Sequence, residues 1–472
     1  MIEATAEQLR ADKSALLAQL LAEETAVTPS PGPNRIQPLT PRADYPLSFA
    51  QRRLWFLDQF ETNPAAYNVP LAYRLTGSLD ITALAHALTT VVNRHAALHT
   101  VFAERNGEPV QQVLSAVLLP LPIINLADLP APAQVAELAQ QLTDDARRSF
   151  DLSRDLPLRA TLYQLSGTEH VLALTLHHIA CDAWSVGILL RELSAAYRAA
   201  LRDSPPELPD LTVQYPDYAV WQHSRIHSEQ LTHQLAGWQK RLADLPALSL
   251  PTDFPRPAAQ TFRGDTRTLA LDRVLVEQLR RLGREADGTL FTALLAGFKI
   301  LLHRYAKTND VFVGSPVANR NRSETENLIG FFTNTLILRT RLAPEMTFRQ
   351  SLRQVQATVS HALAAADVPF EKLVEILHPT RDLSRSPLFQ VMFSHQPESP
   401  VPKLPGITAE PVAVPTGTAK FDLNLAAIEG DAGVTLSLEF STDLFTPATA
   451  DRMLHHLRCL LTAAAAHPDQ TV

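Results

Sequence analysis

His177 and His178, followed after three residues by Asp182, are the side chains here best suited to acid–base chemistry. An imidazole titrates near neutral pH, so it can accept a proton from an amine or hydroxyl that must react. The pair ends an apolar run over 171–176 that reads as a buried strand, and an amphipathic helix is expected over 186–201. Side chains alternate along a strand, so the two rings leave in opposite directions and only one can face a given cleft. Asp182 could orient a histidine, cap the helix, or pair with an arginine elsewhere. On these residues alone, a core histidine pair beside a helix-capping aspartate is an equal alternative.

Other chemistries fit less well. Diverging strand histidines do not close on one metal ion, and i,i+4 pairs need a helix. His223, His227 and His233 lie on a polar connecting segment and read as solvated. Cys181 stands near both histidines, where a thiolate–imidazole pair would be sensible. It sits in the turning spacer, however, and reads as a small buried apolar residue. No Gly-Gly pair, GxGxxG, GxxxxGK[ST] or GxSxG occurs, which removes dinucleotide, P-loop and hydrolase-elbow readings.

Composition sets the frame for these residues. With 472 residues, 46% hydrophobic and 19% charged, the chain is globular and too long for one ordinary core. A net charge of -7 argues against nucleic acid as a partner. Two cysteines cannot build a disulfide framework. The most apolar stretch, 113–124, is broken by Ser115, Pro120 and Pro122 and falls short of the ~20 residues that span a bilayer. A cytoplasmic protein without a membrane role is the expectation.

The elements that must position the motif follow from periodicity. Leu9, Leu16, Leu17, Leu20 and Leu21 share a helical face over 5–24, and Thr28-Pro-Ser-Pro-Gly-Pro then breaks the chain. That helix is either laid on a surface or a docking element. Ser48-Phe-Ala-Gln51 is a capping box opening the next helix. Strands are expected over 71–75, 98–103, 159–165 and 170–176, with helices over 81–95 and 134–149. The second half repeats the layout: strands over 267–271, 311–313, 332–338, 388–394, 421–428 and 434–441, and helices over 272–286, 289–305, 347–365, 370–377 and 447–466. Two similar αβ halves predict an α+β protein of two lobes, 45–225 carrying the histidines and 226–472, preceded by a helix and Pro-rich linker over 1–44.

The central stretch, His177-His-Ile-Ala-Cys-Asp182-Ala183, resembles the HHxxxDG signature of nonribosomal peptide synthetase condensation domains, with Ala183 in place of the glycine. The resemblance extends over roughly 45–465. Leu47-Ser-Phe-Ala-Gln-Arg-Arg-Leu-Trp55 is similar to the family's SxAQxRLW element, and Arg94-His-Ala-Ala-Leu-His-Thr100 to RHExLRT, with Ala96 and His99 as departures. Tyr215–Gln222 resembles YxDYAxWQ, and Ile329-Gly-Phe-Phe-Thr-Asn-Thr-Leu336 resembles IGFFVNTL. Asp367-Val-Pro-Phe-Glu-Lys-Leu-Val374 and Arg381-Asp-Leu-Ser-Arg-Ser-Pro-Leu-Phe-Gln390 are similar to the last two. The wording around them is closest to the subgroup joining an L-configured donor to an L-configured acceptor.

The resemblance implies two chloramphenicol-acetyltransferase-like lobes in a pseudo-dimeric V with a central tunnel. It implies an amide-forming acyltransferase that joins a carrier-bound donor acyl or peptidyl thioester to the amine of a carrier-bound aminoacyl acceptor. No cofactor is bound; substrates arrive on 4′-phosphopantetheine arms. The partners are donor and acceptor peptidyl carrier proteins, or an acyl carrier protein as donor. A downstream adenylation domain and docking to an upstream synthetase subunit also follow. By position, His178 is the catalytic histidine, either deprotonating the amine or positioning it and stabilising the tetrahedral intermediate. His177 supports it, Asp182 is structural, and Arg320 pairs with Asp182 across the lobes. If the family's glycine at 183 has positive φ, Ala183 costs roughly 1 kcal/mol or more; with negative φ its methyl merely narrows the tunnel. The alternatives are a weakened domain that recruits partners as a scaffold, and an ester-forming acyltransferase of the same superfamily.

Overall fold

The computed structural model describes residues 35–60, 64–226, 228–245, 248–377 and 382–471. The helix expected over 5–24 lies outside them. The chain divides into units 1–37 and 38–472, and all of the secondary structure below belongs to the second.

The strand that leads to the histidines, Glu169–His177, is central in a five-stranded sheet. It pairs antiparallel with Asn68–Gly77 on one side and Leu158–Gln164 on the other. Both its faces are covered, which is why the run over 171–176 is apolar apart from Thr175, itself buried. Leu172, Leu174 and Leu176 pack with Leu84 and Leu88 of helix Ile81–Arg94 and Leu189 and Leu193 of helix Ala183–Ala200. Val171 and Ala173 turn the other way, to Leu138 and Leu142 of helix Ala131–Arg147. His177 falls on that second face by the same alternation.

The second sheet has six strands in the order Asn334–Arg341, Asp310–Val317, Val391–Pro397, Leu423–Gly430, Gly433–Ser441 and Gly264–Asp272. Helices Arg273–Glu285, Leu290–Ala306, Phe348–Ala364 and Pro447–Ala466 supply the side chains of its core. Leu290–Ala306 is largely apolar because it is buried inside that layer, with Lys299 a buried charged exception. No single described helix is long and apolar enough to cross a membrane.

Three features depart from the expectations. The segment expected as a strand over 98–103 begins with a 3-10 turn, Ala96–His99, and its strand runs Thr100–Arg105. That strand forms a hairpin with Glu108–Val113, which in turn pairs with Tyr45–Pro46 in a separate three-stranded sheet. Most consequentially, Ile407–Pro411 does not join the sheet of the second half. It adds antiparallel to Asn68–Gly77, completing the first half's sheet with residues from beyond 225.

Gly77 closes that exchange, opposite Ile407. Its φ is +138°, and a Cβ there would lie 2.3 Å from the Gly406 carbonyl oxygen. Neither the backbone conformation nor the space admits a side chain. Gly77→Ala is expected to cost about 1–3 kcal/mol, read as a lower midpoint in chemical unfolding. An unchanged midpoint would show that the strand is not held at this register.

Candidate active site

Strand Glu169–His177 ends in a 3-10 turn, His178–Ala180, and helix Ala183–Ala200 starts three residues later. The two histidines part as the alternation requires. His177 is 1% exposed, with its ring edge-on to Phe150 at 5.8 Å. His178 turns to the other side, edge-on to Phe331 at 4.8 Å, and is only partly buried. The Nδ1 of His178 is buried without a hydrogen-bond partner. Burial holds its pKa down to about 4, helped by the Lys420 ammonium, against the opposing pull of nearby peptides and Asp182. His177 is pushed down to about 3 by burial, then by His178, Lys420 and Arg159. Both rings are therefore neutral at physiological pH.

Asp182 caps the helix and does more. Its Oδ1 accepts from the Ser185 N–H at 2.8 Å and from Arg320 Nη2 at 3.1 Å, with Ser185 Oγ 2.7 Å away. Its Oδ2 accepts from the Phe332 N–H at 3.1 Å and lies 3.4 Å from Thr333 Oγ1. Arg320 comes from the turn after strand Asp310–Val317. Its Nη1 donates to the carbonyls of Thr325 at 2.5 Å and Leu328 at 2.7 Å, and Nη2 to Ser185 Oγ at 2.8 Å. The guanidinium lies over the Phe332 ring at 4.2 Å. The two ionic side chains are 2% and 1% exposed. This density of partners offsets the desolvation of a buried pair.

Around this centre the spaced motifs meet. Gln51 closes its capping box with Ser48 and donates from Nε2 to the Ile179 carbonyl at 3.2 Å. Tyr215 donates to the Phe331 carbonyl at 2.6 Å and lies 2.8 Å from Ser48 Oγ. Gly330 must be glycine, since a Cβ there would sit 2.0 Å from the Tyr215 ring. His95, fully buried, accepts the Ile329 N–H on Nδ1 at 3.3 Å and places Nε2 2.8 Å from Glu192 Oε2. Asn334 donates to the carbonyls of Ala366 and Val368 and accepts from the Phe370 N–H.

Ala183 is the first residue of its helix, is exposed, and is absent from the residues with positive φ. The strained alternative for this position does not apply. Cys181 is buried, its thiol is pushed up by burial, and its Sγ lies 3.7 Å from the His177 carbonyl. Among the described residues no group of His, Cys, Asp or Glu is placed to hold a metal. His223 corrects an expectation. It packs on Phe49 at 4.5 Å and places Nε2 2.8 Å from the Leu47 carbonyl, holding the entry to the first helix. His233 is exposed and His227 lies outside the described residues.

Two residues near the histidines were not anticipated. Asp58 sits on the last turn of helix Phe49–Phe60, and its Oδ1 is 3.8 Å from His177 Nε2. Its signal was a second polar residue seven positions after Gln51, on the buried face of an amphipathic helix. Lys420, from the second half, lies 5.0 Å over the Tyr67 ring and has no local sequence signal.

Arg320→Ala leaves Asp182 charged and buried without its counter-ion. A loss of about 3–5 kcal/mol is expected, seen as a fall in Tm; an unchanged Tm with lost activity would place Arg320 in the chemistry instead. For His178 the pKa is lowered from 6.5 to about 4, so the native ring stays neutral while an unfolded one begins to charge. Its share of stability is complete above about 6.5 and is lost as pH falls toward 4. The rate with preloaded substrates should hold from pH 7 to about 5 and fall below that, and Lys420→Met should move the acid limb upward. A wild-type midpoint near 6.5 would show the ring to be solvated.

Residues 42–472 match the family model described as Condensation domain. The chain is 45% identical over 439 residues to a linear gramicidin synthase of Brevibacillus parabrevis, covering 92% of this chain and 8% of that protein. It is 40% identical over 445 residues to phosphinothricin tripeptide synthetase PhsC of Streptomyces viridochromogenes, 93% of this chain and 41% of that one. It thus spans less than half the length of these curated relatives. Among solved structures it is similar to the X-domain from teicoplanin biosynthesis, with a TM-score of 0.84, 30% identity, and coverage of 92% and 98%. The histidine turn, the buried Asp182–Arg320 pair and the converging motifs thus belong to a known lineage: the chain is a member of the condensation-domain family, acyltransferases that form peptide bonds in nonribosomal peptide synthetases.

Proposed function

We propose that the chain condenses a donor acyl or peptidyl thioester with the amine of an aminoacyl thioester, both presented on the 4′-phosphopantetheine arms of carrier proteins. The observation that carries this reading is a neutral, partly exposed His178 at the end of a central strand, held by a turn that buried polar contacts fix. The acceptor nitrogen attacks the donor carbonyl carbon, the new C–N bond forms, and the C–S bond breaks as the donor arm's thiolate leaves. As it bonds, the nitrogen gains positive charge and its protons become acidic. Burial leaves His178 a weak base, so it accepts a proton from that nitrogen only as the positive charge develops. Before attack the same ring can orient the amine by accepting an N–H. His177 and Asp182 hold the turn, and Arg320 ties it to the second half. In this reading the lobes are 45–225 and 226–472, with Ile407–Pro411 crossing back, and the protein works in the cytoplasm beside carrier and adenylation domains.

A recruitment role is favoured by one observation: the chain is also similar, at a TM-score of 0.84, to the teicoplanin X-domain solved in complex with OxyB. The unstrained Ala183 and the intact Asp182–Arg320 pair weigh on the catalytic side.

The deciding experiment loads donor and acceptor carriers and follows the amide product by mass spectrometry. Wild-type protein should form product, and His178→Ala should lose about 10²–10⁴-fold in rate. Equal rates from the two would remove His178 from the chemistry. No product from any matched carrier pair, with binding of a separate protein intact, would favour recruitment.

A further inference from the structure

The polar atoms on the far side of the histidine pair are unaccounted for by this mechanism. His177 Nδ1 accepts the Ile179 N–H at 3.2 Å, so the ring's proton cannot reside there in the neutral form. It must be on Nε2, which is buried and has no hydrogen-bond partner. A complementary atom, Asp58 Oδ1, lies 3.8 Å away, equally buried and equally unpartnered. The side chains are 1% and 7% exposed, so water does not readily replace either partner. A donor and an acceptor that each lack any other partner, facing each other across less than a water's diameter of extra distance, are an incomplete hydrogen bond.

The chain uses the same arrangement once more, in closed form. His95 accepts a backbone N–H on Nδ1 and meets a buried carboxylate, Glu192, with Nε2 at 2.8 Å. In both cases Nδ1 accepts a backbone N–H and Nε2 is the ring nitrogen turned toward a buried carboxylate.

We propose that Asp58 is a positioning residue for the reaction: by accepting the Nε2 proton of His177 it fixes that ring's tautomer, and thereby the turn that aims His178. The chain of contact is short. Asp58 holds Nε2–H; Nδ1 then accepts the Ile179 N–H; that bond caps the 3-10 turn His178–Ala180 from which the His178 side chain projects. Gln51, two helical turns earlier on the same face, holds the carbonyl of the same residue, Ile179. Helix Phe49–Phe60 therefore grips the turn at two points, Gln51 on its backbone and Asp58 through His177. Without Asp58 the ring can move its proton to Nδ1, which would set two donors, Nδ1–H and Ile179 N–H, against each other.

The inference rests on His178 as the reactive histidine, but its first test does not. Burial, then Asp151, raises the Asp58 carboxyl to about 6, so it is ionised above neutrality. Nitrogen NMR of histidine-labelled wild-type protein, with no substrate present, should report His177 as the Nε2–H tautomer at pH 7–8. Asp58→Leu should shift that signal toward Nδ1–H or a mixture, and Asp58→Asn, which keeps a carbonyl acceptor, should not. In the carrier-loaded assay Asp58→Leu should lose roughly tenfold or more in kcat with little change in KM, while Asp58→Asn keeps most of the rate. An Nδ1–H tautomer in the wild-type chain, or equal losses from Asn and Leu, would overturn the proposal. Should Asp58→Leu fail to fold, the wild-type tautomer and the Asn variant still decide. A chain with the expected tautomer but no condensation would retire the catalytic reading and leave the hydrogen bond standing.

Discussion

The site depends on a carboxylate with no spare lone pairs. Asp182 accepts from a helix N-terminus on its own strand–helix unit, and from a guanidinium and a peptide N–H that belong to the second half. Each of those donors is useful locally, but their joint effect is to make one anion the common endpoint of two sheets. A buried ion pair contributes less to net stability than its Coulomb attraction suggests, because both charges give up water. Its value here is directional. An apolar contact between the halves would tolerate sliding by an ångström, whereas a carboxylate with donors on both oxygens does not.

That distinction runs through the molecule. The apolar side chains gather into separate cores: one under the second sheet and others on the two faces of the first. Between the halves, specific polar contacts surround the histidines, Ser185 to Gly330, Tyr215 to Phe331 and His95 to Ile329, beside aromatic ones such as His178 to Phe331 and Tyr215 to Phe332. The spaced motifs are the residues that make these contacts, so their spacing in sequence records the joining of two cores more than the chemistry itself. Chemistry needs one exposed imidazole edge; nearly everything else holds that edge in its direction.

Local features were readable from local sequence. The apolar run over 171–176, the helix cap at Asp182 and the Ser48–Gln51 box all depend on neighbours within a few positions, and the structure places each within a residue or two of expectation. Arg320 as the partner of Asp182 came from family resemblance, since nothing in the intervening residues points from one to the other. Asp58 and Lys420 escaped because their partners are met only in the folded chain. The hairpin over 100–113 is marked locally only by Asn106 and Gly107 at its turn, and Ile407–Pro411 offers five residues of weak alternation. His223 lies on a polar segment that is nonetheless packed, against Phe49 and the Leu47 carbonyl, so polarity there does not imply solvation.

The strand exchange also orders events in time. During synthesis Asn68–Gly77 emerges early, but the partner for its outer edge leaves the ribosome only after most of the second half. Until then the first half carries an open sheet edge of the kind that recruits foreign strands. Pro70 and Arg74 on that strand are residues that discourage such pairing. The first half's sheet is therefore the last to be completed, by a strand that the second half supplies.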